Sequence, residues 1–151
     1  MIKDMELKEC KSVLSKNYIG RIGYISQGSP DILPMTFYYH PDQNSIISYS
    51  SEGGKIMAMR NNSSVSFQVD DIVSGNEWRS VLVRGEFEEI SGTDAKYLLH
   101  EFSEAVKAVI KTRENASPKF ISEFSSKLES QGTPIVFRIR ISEITGKQRV
   151  S

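Results

Sequence analysis

Apolar side chains recur at alternate positions in three parts of this chain: Val65, Phe67 and Val69; Val81, Val83 and Phe87; and Ile135, Phe137, Ile139 and Ile141. A repeat of two is the repeat of a β-strand, and polar residues between the apolar ones mean one buried and one wet face, as in antiparallel sheet. Slipping any of these strands by one residue would turn its apolar set to water, so the pattern constrains pairing as well as strand formation. Three more short runs rich in β-branched and aromatic residues, YIGRIGYIS, ILPMTFYYH and SIISYS, are separated by QGSPD and PDQN, which carry turn residues. Six strands are therefore expected.

Helical spacing interrupts the strands in three places. Asp4 is placed to cap a short helix in which Leu7, Cys10, Val13 and Leu14 share a side, a plug for one end of a core. From Thr93 to Lys111 a stripe runs through Leu98, Phe102, Ala105 and Val109. From Ser117 to Leu128, Ser117 stands as N-cap, Pro118 at the first position, and Phe120, Phe124 and Leu128 repeat every fourth residue. The strand PIVFRIRIS follows, so the architecture expected is a closed or nearly closed barrel with helices packed at its ends. With 151 residues, no linker and no repeat, a single domain over 1–151 is expected.

Composition matters for what it excludes. Lysine plus arginine and aspartate plus glutamate number 19 each, so no net positive field draws in nucleic acid or an anionic membrane. Cys10 is the sole cysteine, which rules out an intramolecular disulfide or a multi-cysteine zinc site. His40 and His100 lack companions at metal-ligand spacing, and no metal is expected. The N-terminal MIKDMELKECKSVLS breaks its apolar residues with charges, and no run long enough to span a bilayer occurs. A soluble, unexported, cytoplasmic protein is the expectation.

One stretch carries more chemistry than packing requires. In SIISYSSEGGKIMAMRNN a strand runs into hydroxyls, two glycines, a lysine and a helical pattern. Ser48, Ser50 and Ser51 can donate hydrogen bonds, Gly53 and Gly54 allow the backbone close to an anion, and a helix start with Lys55 supplies positive charge. From spacing alone, a glycine turn before a helix with a solvated lysine is the plainer reading.

Together with its surroundings, this stretch resembles the pyridoxamine 5′-phosphate oxidase-like, FMN-binding split-barrel family. ILPMTFYYH looks like the family's flavin-facing strand, SYSSEGGKIMAMRNN like its phosphate turn and helix, and EWRSVLVRGEFEEI like the strand a second subunit lends to the cofactor. The resemblance spans about Tyr18 to Ile90 and resumes at PIVFRIRISEITGKQRV. It implies a mainly β fold, a six-stranded antiparallel split β-barrel with peripheral helices, and a homodimer with cofactor sites at the subunit interface. Carried over by residue, Pro34, Met35, Thr36 and Phe37 would lie along the flavin, Ser48, Tyr49 and Ser50 near the ribityl chain and phosphate, and Lys55 on the phosphate. Trp78, Arg79 and Ser80 would approach from the partner. On residue type alone Pro34 reads equally as an edge-strand marker, Met35 and Phe37 as core, Trp78 as packing and Arg79 as an exposed strand-start charge.

Two departures shape the activity implied. Gly54 stands where the oxidases themselves carry an arginine before the phosphate lysine, and this chain ends GKQRVS without their Trp- and Arg-containing grip on pyridoxal phosphate. Vitamin B6 oxidation is therefore not expected. The short chain, WRSVLVRG and the EITGKQ ending look more like the nitroimidazole-resistance branch, which implies FMN-dependent reduction of small electron-poor compounds with NAD(P)H as a transient donor. No G-x-G-x-x-G follows a strand to hold a dinucleotide tightly. No catalytic acid, base or nucleophile stands out. The competing class is a binding protein without turnover, carrying flavin or haem.

Overall fold

The computed structural model describes residues 1–113 and 134–150. Its elements run β1 (Ile2–Asp4), α1 (Leu7–Lys16), β2 (Ile19–Ser26), β3 (Ser29–Thr36), β4 (Tyr38–His40), β5 (Ser45–Ser50), α2 (Gly54–Asn61), β6 (Ser64–Ser74), β7 (Glu77–Ile90), α3 (Gly92–Arg113) and β8 (Ile135–Arg149). All strands belong to one antiparallel sheet of eight, ordered β3-β2-β6-β7-β8-β5-β4, with β1 on the far end of β8. The helix expected from Ser117 to Leu128 lies outside the described residues.

The split follows from that order. β3 and β4 are the two ends of the sheet, yet only Phe37 separates them in the chain. The segment pairs with β2 up to Thr36, Phe37 N–H donates to the Tyr18 carbonyl at 2.8 Å, and from Tyr38 it pairs with β5. The sheet must therefore curl until its ends meet, and it closes through covalent chain instead of a ladder. Ser48, 1% exposed on β5, ties the seam by donating from Oγ to the Thr36 carbonyl at 2.7 Å.

The six expected strands all form, and two differences raise the count to eight. ILPMTFYYH divides at Phe37 because its partner changes there, and the N-terminal residues add β1 along β8. That second difference moves the helix cap. Asp4 lies within β1, Met5 N–H donates to the Gly146 carbonyl at 2.9 Å, and α1 starts only at Leu7 behind Glu6 as N-cap, whose N–H donates to Glu9 Oε1 at 3.2 Å. The turn expected at QGSPD shrinks to Gln27 and Gly28, whose φ values of 52° and 79° suit a two-residue hairpin. Pro30 and Pro34 consequently fall within β3, an edge strand, where a missing N–H is tolerated.

Inside the barrel, the alternating residues meet as read: Val65, Phe67, Val69, Val81, Val83, Phe87, Phe137 and Ile139 form one cluster with Phe37, and Cys10, Val13 and Leu14 of α1 plug it. Phe37 meets Phe67 edge-on at 5.0 Å between centroids, with burial of such a ring contributing roughly 1.5–3 kcal/mol. A second cluster lies under α3, where Leu98, Phe102, Val106 and Ile110 pack on Ile47 and Val136. The helix is longer than expected, and its buried stripe runs through Val106 and Ile110, one position beyond Ala105 and Val109, of which Val109 packs at its margin. β5 has both faces covered, Ile46 by the barrel and Ile47 by α3, which explains why SIISYS does not alternate. No helix among the described residues is long and apolar enough to cross a membrane.

Gly85 sits where β7 shifts register against β8, and a Cβ there would stand 2.3 Å from the Arg140 carbonyl. That oxygen is ladder backbone and cannot move aside, so Gly85→Ala should lower stability by about 1–3 kcal/mol. Gly75→Ala, with open space around the added carbon, should change it by less than about 0.5 kcal/mol. Urea unfolding of the two variants checks the contrast.

Candidate functional site

The seam that divides β3 from β4 also opens a hollow. Met35 and Thr36, at the end of β3, and Tyr49, Ser50 and Ser51, at the end of β5, line a space of about 220 Å³. Four of the residues expected along a ligand thus come together because two strands part there. Tyr49 is held edge-on against Phe102 of α3 at 5.3 Å, and burial pushes its phenol up, so it remains an O–H donor. Ser50 Oγ donates to the Ser51 carbonyl at 3.1 Å.

Others of that group face elsewhere. Phe37 is 1% exposed with its ring in the barrel core, which matches the packing reading of its side chain and leaves only its backbone at the seam. Met35 lies largely in the core and touches the hollow at its edge. Pro34 is exposed on β3. Ser48 is turned inward with its hydroxyl spent on Thr36.

Beyond Ser51 the chain enters α2 through Gly53, whose side of the backbone is open, as is that of Gly54. The helix has no side-chain cap and no acidic residue in its first turn, so its leading N–H groups carry an uncompensated partial positive charge. Lys55 adds a full charge. It is half-buried, burial pushes its ammonium pKa down, and among the described residues no carboxylate pairs with it. It does not line the hollow itself but stands four residues past Ser51. A cation kept partly out of water without a partner can accept an anion at little further desolvation cost.

Trp78, Arg79 and Ser80 lie on β7 away from the hollow, and successive strand residues face opposite ways. Ser80 accepts from Gln68 Nε2 at 3.0 Å in an outward network with Asp70 and Arg21. Trp78 shares its cross-strand row with Ile72 and, through Arg149, with Ile2. Arg79 points to the other side, donates from Nε to Gln148 Oε1 at 3.2 Å, and lines a charged depression of about 460 Å³ beside α1 with Lys8, Lys16 and Asp71. Within this chain, then, these three do not join the seam.

The histidines also separate. His100 is exposed, whereas His40 is buried on β4, accepts at Nδ1 from the Gln43 N–H at 3.2 Å, and sets Nε2 3.3 Å from Glu101 of α3. Among the described residues no group of histidine, cysteine and carboxylate side chains could hold a metal ion. One residue near the site carried no legible signal in the sequence: Arg60, at the end of α2, binds Glu52 and Glu89, and the second of these arrives from β7.

Comparison with known proteins agrees with this architecture. A FAD-binding protein from Mesorhizobium loti superposes with a TM-score of 0.73 at 26% identity, covering 99% of both chains. A candidate 5-nitroimidazole antibiotic resistance protein from Bacteroides thetaiotaomicron gives 0.70 at 18% identity, over 98% of this chain and 89% of the other. A FAD- and haem-binding protein from Mycobacterium smegmatis gives 0.71 at 16% identity, over 99% and 74%. The last two establish likeness of fold. Residues 6–148, from the cap of α1 to the end of β8, match the family model described as pyridoxamine 5′-phosphate oxidase, and the chain with its split barrel belongs to that family.

Proposed function

We propose that this protein binds FMN at the seam, with the phosphate on Lys55 and the start of α2, and that it reduces small electron-poor compounds such as nitroimidazoles. The observation that carries the reading is Lys55, half-buried and unpaired among the described residues beside an uncapped helix start. A terminal phosphate monoester holds close to two negative charges near pH 7, and one lysine with a helix end suits it better than the singly charged phosphates of FAD. The FAD-binding protein from Mesorhizobium loti supports a flavin of some kind. Bound FMN would supply the two-electron chemistry that no side chain here can perform. Thr36, Tyr49, Ser50 and the backbone from Pro34 to Phe37 would hold and orient it, and Ser48 would fix the strand ends between which it lies.

A hollow of about 220 Å³ is too small to enclose a flavin, since sites for such ligands run to roughly 300–1,000 Å³. A second copy of the chain supplies the missing wall in our reading, through Trp78, Arg79 and Ser80. The row of Ile72, half-buried Trp78, Arg149 and Ile2, with the two isoleucines 67% and 56% exposed, suits burial against that copy. Substrate would then lie over the open flavin face, with NAD(P)H binding there only in transit, in a cytoplasmic protein. A haem reading has less support, because His40 is buried with Nδ1 taken by the Gln43 N–H and Nε2 turned toward Glu101, and Cys10 is sealed in the core.

The absorption spectrum of the purified protein separates these readings, with flavin bands expected near about 370 and 450 nm and a Soret band marking haem. Lys55→Ala should weaken FMN about ten- to a hundredfold, from the loss of one charge-assisted bond, while riboflavin affinity stays level. Fluorescence titration of the apoprotein tests this, and an equal loss for both ligands would remove the phosphate from Lys55. Light scattering should report a dimer, whereas a monomer that binds FMN fully would refute the shared site.

Stability should show the opposite sign. Burial lowers the folded-state pKa of Lys55, so its charge costs stability below that pKa, and the cost fades as pH rises through it. Apoprotein carrying Lys55→Met should melt at or above the wild-type temperature at pH 7, with the gap closing toward pH 10. Calorimetry of the apoproteins across that range checks it.

A further inference from the structure

We propose that Arg60 is a positioning residue for the anion site, one that withdraws Glu52 from the start of α2 and so leaves that helix end free for a phosphate. The inference rests on the phosphate reading of Lys55. Glu52 immediately precedes Gly53, the N-cap. A carboxylate at that position is the natural rival of any phosphate, because it can fold onto the same leading N–H groups and pair with the lysine beside them.

It does neither. Arg60 Nη1 and Nη2 donate to Glu52 Oε1 and Oε2 at 2.5 and 3.1 Å, a two-bond clasp from the far end of α2. Arg60 is itself fixed, with Nε and Nη2 donating to Glu89 Oε1 and Oε2 at the end of β7 at 2.8 and 3.2 Å. One guanidinium thus ties the loop before α2, the last turn of α2 and the barrel wall. The planar fork permits this, where a lysine would present a point charge. The helix start is left uncapped although a carboxylate lies one residue away, which is the arrangement to expect if that end has another occupant.

Arg60→Met should free Glu52 to compete for the helix start and to repel the incoming anion. FMN affinity should fall about three- to tenfold, the size of an unscreened unit charge a few ångströms from a phosphate near water. Riboflavin affinity should hold, and the FMN loss should shrink as salt is added. The decisive variant is Arg60→Met with Glu52→Gln, which lacks the clasp but also lacks the rival and should regain wild-type FMN affinity; Glu52→Gln alone should bind at least as well as wild type. Titrating the four apoproteins with FMN and riboflavin, with melting curves to confirm folding, reads each arm. Unchanged FMN affinity in Arg60→Met, or a double variant as weak as the single, overturns the proposal and makes the clasp plain scaffolding. Should wild type bind FMN no better than riboflavin, the phosphate reading falls and this one with it. An FMN preference abolished by Lys55→Ala but untouched by Arg60→Met would defeat Arg60 alone.

Discussion

The constraint on which the rest of the molecule depends is the change of partner at Phe37. A segment that pairs with β2 on one side of a single residue and with β5 on the other forces the two ends of the sheet together. It also denies them a common ladder. Phe37 is suited to that point: its N–H extends the β2 pairing, and its ring drives into the barrel against Phe67. The strand ends that part there, Met35 and Thr36 on one side and Tyr49 to Ser51 on the other, become the walls of the hollow. Fold closure and site formation are one event.

Burial then fixes the layers around the seam. The barrel core takes one face of β5 and α3 the other, so the strand that carries Ser48, Tyr49 and Ser50 is held from both sides. Outside, the charges of β7 and β8 pair across the sheet, as in Arg84 with Glu143 and Arg138 with Glu88. Exposed pairs of this kind contribute little to stability. They do set the register of the outer face and keep the long β7–β8 ladder wet on that side, while the apolar alternation holds its other side in the core.

Around α2 the electrostatics run against stability. Lys55 is partly desolvated without a counter-charge among the described residues, while Glu52, close enough in sequence to supply one, is turned away onto Arg60. Binding sites commonly carry such uncompensated groups, because an interaction already satisfied within the chain is not available to a ligand. Arg60 serves both ends of this arrangement, since Glu89 roots it in the barrel and Glu52 roots the loop in it.

The sequence by itself determined the strands whose faces differ in polarity, the plug formed by α1 and the glycine-lysine turn, because periodicity and turn chemistry act over a few neighbouring residues. Val65 to Val69 and Val81 to Phe87 could be assigned to the core with no partner in view. Family resemblance extended this to the order of the pieces. Only the tertiary structure decided what depends on residues far apart in the chain. The break in ILPMTFYYH is invisible locally, since it arises from a change of neighbour between β2 and β5. Asp4 lost its capping role because β8, more than 140 residues on in the chain, captures β1 as a strand, with Ile2 opposite Arg149. Ser48 reads as a ligand donor until the Thr36 carbonyl arrives to accept its hydrogen bond, and Arg60 has no legible role until β7 brings Glu89. Local propensity chooses an element's type, whereas the partner of a buried hydroxyl or a guanidinium is chosen by which distant strand packs beside it.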